Sequence, residues 1–280
     1  MKKFLSLLMA IVLAFSLTAC AKKEVNAQQT SSGSEEAQEF RVGLECNYAP
    51  FNWTQSESSE NTVAIPSGGY AGGYDIQIAK MIAEGLGRKL VIVKTEWDGL
   101  TPAVSSGKID AIIAGMSPTA ERAQTIDFTD AYYESDLVIV VKKDSPYANA
   151  KSLEDFANSK ITGQLNTFHY SVIDQIPNVK KQNAMETFPA MIVALNSGKI
   201  DGYISERPGA VSAVASNPEL TFVSFEEGKG FEASPEDVSI SVGLKKGSDL
   251  KDKINEILKG ISKEKRQELM DKAVKDQPLQ

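Results

Sequence analysis

The sequence holds one histidine, His169, and two cysteines, Cys20 and Cys46. A single imidazole excludes a zinc centre built on histidines, and two thiols do not make up for it. No run of lysine and arginine occurs, and the net charge is −7 at neutral pH. That balance argues against a nucleic-acid partner. The apolar run from Phe4 to Leu17 is too short and too sharply bounded for a comfortable membrane span. No Gly-x-Ser-x-Gly elbow, Cys–His pair or phosphate-cradling glycine loop is present. What remains is the composition of a globular protein, 42% hydrophobic and 24% charged. Its 280 residues suit one large domain or two lobes of ordinary size.

Lys2 and Lys3 precede that apolar run, and Leu17-Thr18-Ala19-Cys20 closes it. Residues 1–20 therefore read as an export signal. The closing tetrapeptide resembles a bacterial lipobox. The resemblance implies cleavage before Cys20, a diacylglyceryl group on its sulfur, and attachment to the membrane through that lipid. Residues 21–39 are mostly Lys, Glu, Gln, Ser and Gly, too polar to bury surface, and are expected to form a flexible tether. Lipidation of Cys20 leaves Cys46 unpaired, as a small buried strand residue.

The most informative stretch runs from Ser106 to Arg122. Ser106-Gly107 reads as a turn, and Ile109 to Ala114 as a strand buried on both faces. Gly115 to Thr119 breaks the strand, and Ala120-Glu121-Arg122 begins a helical turn. Open α/β sheets place ligands at such strand ends. The turn offers backbone N–H groups, the Ser117 hydroxyl and the Arg122 guanidinium. Arginine grips a carboxylate with two parallel hydrogen bonds. Ser117 also reads as the cap of a helix starting at Pro118.

This stretch is half of an internal repeat. Ser197-Gly198-Lys199-Ile200-Asp201 copies Ser106-Gly107-Lys108-Ile109-Asp110 at an offset of 197 − 106 = 91. The match extends back to pair Trp97 with Phe188 and forward to place Glu206 where Gly115 stands. One period, used twice, is no solenoid. Two similar α/β lobes facing a cleft are the better reading. Asp110 and Asp201 read as structural turn residues.

Strand, helix, strand, helix, strand from Phe40 to Ala114 forms one doubly wound half. Within it Phe40–Glu45 is the first strand, Tyr48 lies in the loop after it, and Gln55–Gly69 is a polar surface excursion. Asp75 reads as the N-cap of the helix carrying Ile76, Ile78, Ile82 and Leu86. Trp97 leads into a helix over Leu100–Ser105. Leu137–Val141 is expected to cross into the second lobe. There Lys160–Leu165 is a strand, Asn166–Tyr170 its exit turn, and Tyr170–Gln175 helical. Val238–Leu244 returns, and helices over Asp249–Leu258 and Lys263–Val274 pack on the first lobe. The expected division is residues 40–134 plus 240–280 for lobe 1 and 135–239 for lobe 2. Two crossings make a hinged clamp.

Five stretches, in this order, resemble a known family. They are Val42-Gly43-Leu44-Glu45 with Tyr48-Ala49-Pro50-Phe51; Gly73-Tyr74-Asp75-Ile76; Ile109-Asp110-Ala111 with Ser117-Pro118-Thr119-Ala120-Glu121-Arg122; Ile126-Asp127-Phe128-Thr129-Asp130 with Tyr133; and Val242-Gly243-Leu244. The chain resembles the bacterial extracellular solute-binding proteins of family 3, the polar and cationic amino-acid receptors of ABC importers. The resemblance covers Phe40 to Lys275. It implies the type II periplasmic-binding-protein fold: two doubly wound α/β lobes joined by two crossover strands. It implies binding without catalysis, no cofactor and no metal, an ABC permease as partner, and a monomer outside the cell membrane. A lipid anchor points to a Gram-positive cell.

The resemblance also implies roles, position by position. Arg122 clamps the ligand α-carboxylate. Gly115, Met116 and Ser117 form the turn that receives the α-ammonium, and Glu206 is a second acceptor for it. Tyr48 and Trp97 sandwich the ligand stem, and Glu45 faces the far end of its side chain. Thr167, Phe168 and His169 supply the second lobe's contacts, Thr167 through N–H groups beside the carboxylate. Apart from the resemblance, His169 reads as a helix-start residue rather than a catalyst.

Charge narrows the ligand. A zwitterion needs one cationic and one anionic group, which Arg122 and Glu206 provide. Glu45 is then a surplus negative charge, and a buried surplus charge is costly unless the ligand neutralises it. Lysine, arginine or ornithine fits, and glutamine is the runner-up because an amide donates to the same carboxylate. The rival classes are a dehydratase on the same fold, with Glu45 or Glu206 as acid, and a ligand-sensing domain.

Overall fold

The computed structural model describes residues 38–278. The export signal, Cys20 and most of the expected tether lie outside the described residues. The tether's expected end is corrected: Glu39 is the first residue of β1 (Glu39–Leu44) and pairs with Lys89. Alternation of Phe40, Val42 and Leu44 into the core extends the ladder one residue back.

Four short strands follow where loop was expected. β2 (Asn47–Tyr48), β3 (Asn52–Gln55), β4 (Val63–Ala64) and β5 (Tyr70–Gly72) form a small antiparallel sheet in the order β2-β3-β5-β4. The Gln55–Gly69 excursion thus carries a strand, and Tyr48 sits in one. Cys46, expected in a strand, is buried but occupies a bend with φ 59°. Burial pushes its thiol up to about 12, so it is an inert side chain.

The first half continues with α1 (Tyr74–Gly85), β6 (Lys89–Lys94), α2 (Trp97–Ser106), β7 (Ala111–Ile112) and β8 (Ile126–Glu134). Its sheet has the order β6-β1-β7-β14-β8, where β14 (Ser239–Lys245) is the returning strand. Trp97 is the first residue of α2 rather than part of a loop before it, and Asp75 lies inside α1, which Gly73 caps. No helix begins at Pro118. A short 3₁₀ turn begins at Arg122.

The second half comprises β9 (Leu137–Lys142), β10 (Lys160–Thr162), α3 (Phe168–Ser171), β11 (Lys180–Lys181), α4 (Phe188–Asn196), β12 (Gly202–Glu206), α5 (Arg207–Ser216) and β13 (Leu220–Val223). Its sheet has the order β11-β10-β12-β9-β13. The chain passes between the sheets at Ser135–Asp136 and returns into β14. The two passages touch, since the Ser135 N–H donates to the Val238 carbonyl at 3.0 Å. α6 (Leu250–Lys259) and α7 (Lys263–Asp276) then pack on the first half, with Leu250, Ile254, Leu258, Leu269 and Met270 buried.

The sequence repeat is a structural repeat. Gly107 and Gly198 both turn left-handed, at φ 77° and 74°. After each, the Asp110 and Asp201 N–H groups donate at 2.8 Å to the carbonyls of Arg41 and Lys160. Each aspartate carboxylate accepts the N–H of that same strand residue at 2.8 Å. The aspartates therefore lock a parallel strand's start, which is a structural role.

Gly73 tests how tightly the entry to α1 is set. Its φ is +123°, and a Cβ there would lie 2.2 Å from the Phe51 carbonyl oxygen. Gly87 has φ +64° with open space around it. We expect Gly73→Ala to destabilise folding by about 3 kcal/mol or more, and Gly87→Ala by about 1–2 kcal/mol. Urea unfolding of both variants reads the difference; equal losses would contradict it.

Candidate functional site

Past Ile112 the chain leaves the sheet. Gly115 adopts φ +63°, and its N–H donates to the Tyr132 hydroxyl at 3.2 Å. The Met116 carbonyl accepts the Ser241 N–H at 3.0 Å, which ties the turn to β14. Arg122 then folds back over the turn. Its guanidinium donates to the Ser117 carbonyl at 2.9 Å and, across the cleft, to the Asn166 carbonyl at 3.1 Å. It also lies 5.0 Å from the centre of the Trp97 ring. Burial lowers its pKa to about 10, with the charge of Glu206 acting the other way, so it remains cationic at neutral pH.

From the opposite side, β12 ends at Glu206, 4% exposed. One carboxylate oxygen lies 2.8 Å from His169 Nε2, and the Tyr48 hydroxyl donates to the other. Burial alone would raise this carboxyl, but His169 and Tyr48 outweigh it and hold it below the ordinary range. His169 is aimed there because α3 begins at Phe168, two residues earlier than expected. The Tyr48 ring lies flat on Phe188, with centroids 4.1 Å apart and planes within 10°.

Glu45 follows the end of β1 and is 3% exposed. Its only hydrogen-bond donor among the described residues is Gln164 Nε2, at 3.3 and 3.4 Å from the two oxygens. Burial pushes this carboxyl up to about 7; Gln164 counters and the charges of Glu96 and Asp98 add to it. It is a carboxyl short of compensation.

Tyr48, Trp97, Gly115, Ser117 and Arg122 share one narrow pocket with Thr167, Phe168, His169 and Glu206. Glu45 and Met116 do not line it. Glu45 stands behind Gln164, which does, and Met116 faces the wider groove outside the pocket mouth. Tyr48 and Trp97 do not form the two faces of a sandwich in this arrangement: one stacks on Phe188, the other under Arg122. The Thr167 hydroxyl donates back to the Gln164 carbonyl at 2.7 Å.

Three contributors escaped sequence reasoning. Gln164 and Asp237 line the pocket, and Phe188 supports Tyr48. Gln164 stands next to last in a predicted strand and Phe188 is the repeat mate of Trp97, so both carried a positional signal. Asp237 lies in a loop and carried none. Among the described residues no group of three or more His, Cys, Asp or Glu is placed to hold a metal ion.

The arrangement suits a ligand with a carboxylate for Arg122 and nitrogen donors for the buried carboxyls. It resembles known proteins throughout. A "probable histidine-binding protein" of Campylobacter jejuni is 34% identical over 238 residues, covering 82% of this chain and 85% of the relative. The "arginine-binding extracellular protein ArtP" of Bacillus subtilis is 29% identical, covering 92% of each chain. The solved structure of the amino-acid ABC transporter substrate-binding protein AbpA of Streptococcus pneumoniae, bound to L-arginine, superposes with a TM-score of 0.70. It is 26% identical and covers 85% of this chain and 94% of that one. These relatives bind solutes rather than transform them, and this chain is a solute-binding protein, not an enzyme. The family model of the bacterial extracellular solute-binding proteins, family 3, matches residues 40–276, and the chain belongs to that family.

Proposed function

We propose that this protein is the receptor of an amino-acid ABC importer and takes a cationic amino acid, arginine foremost. The carrying observation is Glu45: buried, without a basic partner among the described residues, and held by one amide at long distance. A cationic side chain reaching the Gln164 end of the pocket restores the charge that burial disfavours. Arg122 takes the α-carboxylate, and the Gly115–Ser117 turn with Glu206 takes the α-ammonium. Trp97 and Tyr48, which both line the pocket, flank the ligand stem without sandwiching it. The arginine-binding relative and the arginine-bound neighbour support this choice.

Glutamine is the second reading, and the same residue favours it. A carboxyl titrating at about 7 is partly neutral at physiological pH, and a neutral carboxyl can receive an uncharged amide.

We further propose that Cys20 is lipidated, in a Gram-positive cell, and that the folded body works as a monomer at the outer face of the membrane. The Leu17-Thr18-Ala19-Cys20 pattern supports the anchor, and among the described residues no helix is long and apolar enough to cross a membrane.

Calorimetric titration tests the ligand. Arg122→Ala is expected to weaken every α-amino acid by about 100-fold or more, as loss of a buried charged partner does. Glu45→Gln is expected to weaken arginine by roughly 10- to 100-fold, one charge-assisted hydrogen bond, and glutamine far less. Equal losses for the two ligands would remove Glu45 from the side-chain subsite.

The pH dependence has a definite sign. Glu45 carries its charge above about 7 and loses it below. Arginine affinity should therefore rise about tenfold from pH 6 to pH 8, one proton's linkage. Glutamine, which shares every other contact, should change little; parallel curves would contradict the assignment. For the anchor, Cys20→Ala is expected to move the protein from the membrane fraction to the medium, and retention in the membrane fraction would refute lipidation at that sulfur.

A further inference from the structure

Asp75 was expected to cap α1. Instead it is fully buried behind the pocket, with no basic side chain within ion-pair distance among the described residues. It accepts the Tyr132 hydroxyl at 2.7 Å on one oxygen and Asn52 Nδ2 at 2.8 Å on the other. Both partners are themselves fully buried. Each passes the connection on. The Tyr132 oxygen accepts the Gly115 N–H at 3.2 Å, and Asn52 Oδ1 accepts the Cys46 N–H at 2.8 Å.

The two branches end on peptides of the same kind. Gly115 and Cys46 both hold left-handed backbone, at φ 63° and 59°. One lies in the turn before Ser117, the other between Glu45 and Tyr48. These segments also touch, since a Cβ on Gly115 would lie 3.1 Å from the Tyr48 ring.

We propose that Asp75 is a positioning residue that sets both ligand-facing segments of the first half, Glu45–Tyr48 and Gly115–Ser117, through Asn52 and Tyr132. This rests on the receptor reading above. The chemistry lies in direction. An ionised carboxylate only accepts, so both neighbours must donate to it. Tyr132 then spends its proton on Asp75 and turns a lone pair to Gly115. Asn52 spends its amide N–H on Asp75 and turns its carbonyl oxygen to Cys46. An amide at position 75 keeps one acceptor oxygen and puts an N–H2 donor in place of the other, so the polarity of at least one relay is lost. Burial pushes this carboxyl up to about 6, while Tyr132, Asn52 and the Gly115 N–H pull it down, so it is ionised at neutral pH.

Each branch has its own ligand signature. The Gly115 segment meets the part common to all α-amino acids, and the Glu45 segment meets the side chain. Titrating wild type, Tyr132→Phe, Asn52→Leu and Asp75→Asn with arginine and with glutamine separates them. Tyr132→Phe should weaken both ligands together by about tenfold, the order of one hydrogen bond. Asn52→Leu should cut the preference for arginine over glutamine by about tenfold on the same basis. Asp75→Asn should show at least one of the two effects, and the absence of both in it overturns the inference. Thermal melting of each variant is read alongside, since lowered stability alone does not alter the ratio of two affinities. Should Asp75→Asn fail to fold, Tyr132→Phe, which deletes one oxygen, decides the Gly115 branch. An unchanged affinity in Tyr132→Phe, or an unchanged preference in Asn52→Leu, overturns the inference and leaves the receptor reading intact. A wild type that binds no amino acid overturns both.

Discussion

A carboxylate taken out of water must be compensated, and the region around this cleft buries three of them: Asp75, Glu206 and Glu45. Each is treated differently, and the differences organise the molecule. Asp75 is satisfied by two neutral donors that lead to backbone, which makes it part of the framework. Glu206 is satisfied by a tyrosine from one half and a histidine from the other, which makes it a junction. Among the described residues Glu45 has only a long contact to an amide, and it is pushed up to about 7. Of the three, it is the one that gains most from a cation.

Arg122 is the counterpart of these groups. Its guanidinium holds one carbonyl from each half, Ser117 and Asn166, at hydrogen-bond distance. A carboxylate presents two acceptor oxygens with charge added, so it competes well for the same donors. Asn166 also donates from its side chain to Asp98 at 2.8 Å. The pocket mouth is thus crossed by a small set of polar bonds that report the approach of the two halves. Under the proposed function, a ligand carboxylate on Arg122 would couple binding to the relative position of the two sheets.

The repeat at an offset of 91 residues was legible because turn glycines, strand-starting aspartates and apolar runs are all local signals. It located both strand-end turns and with them Arg122 and Glu206. The long helices of the C-terminal part were legible for the same reason. Long-range polar pairing was not. Asp75 looked like a cap because it stands at a helix start after glycine; only the folded chain brings Tyr132, 57 residues on, against it. Gln55–Gly69 looked like loop because it is polar overall and the strand it carries, Val63–Ala64, is only two residues long. His169 read as a helix-start residue and stands in the first turn of α3, but its contact with Glu206 left no local trace. The family resemblance supplied Glu45 as a site residue, yet the sequence could not show that Gln164 stands between it and the pocket.

The central claim is that Glu45 receives the cationic end of an amino acid whose carboxylate sits on Arg122. A crystal structure of the protein grown with arginine measures this directly. The account predicts the ligand guanidinium within hydrogen-bond distance of the Glu45 carboxylate, with Gln164 moved aside or sharing the bond. A guanidinium directed instead to Asp237 or to the outer groove, with Glu45 still held by Gln164 alone, would contradict it.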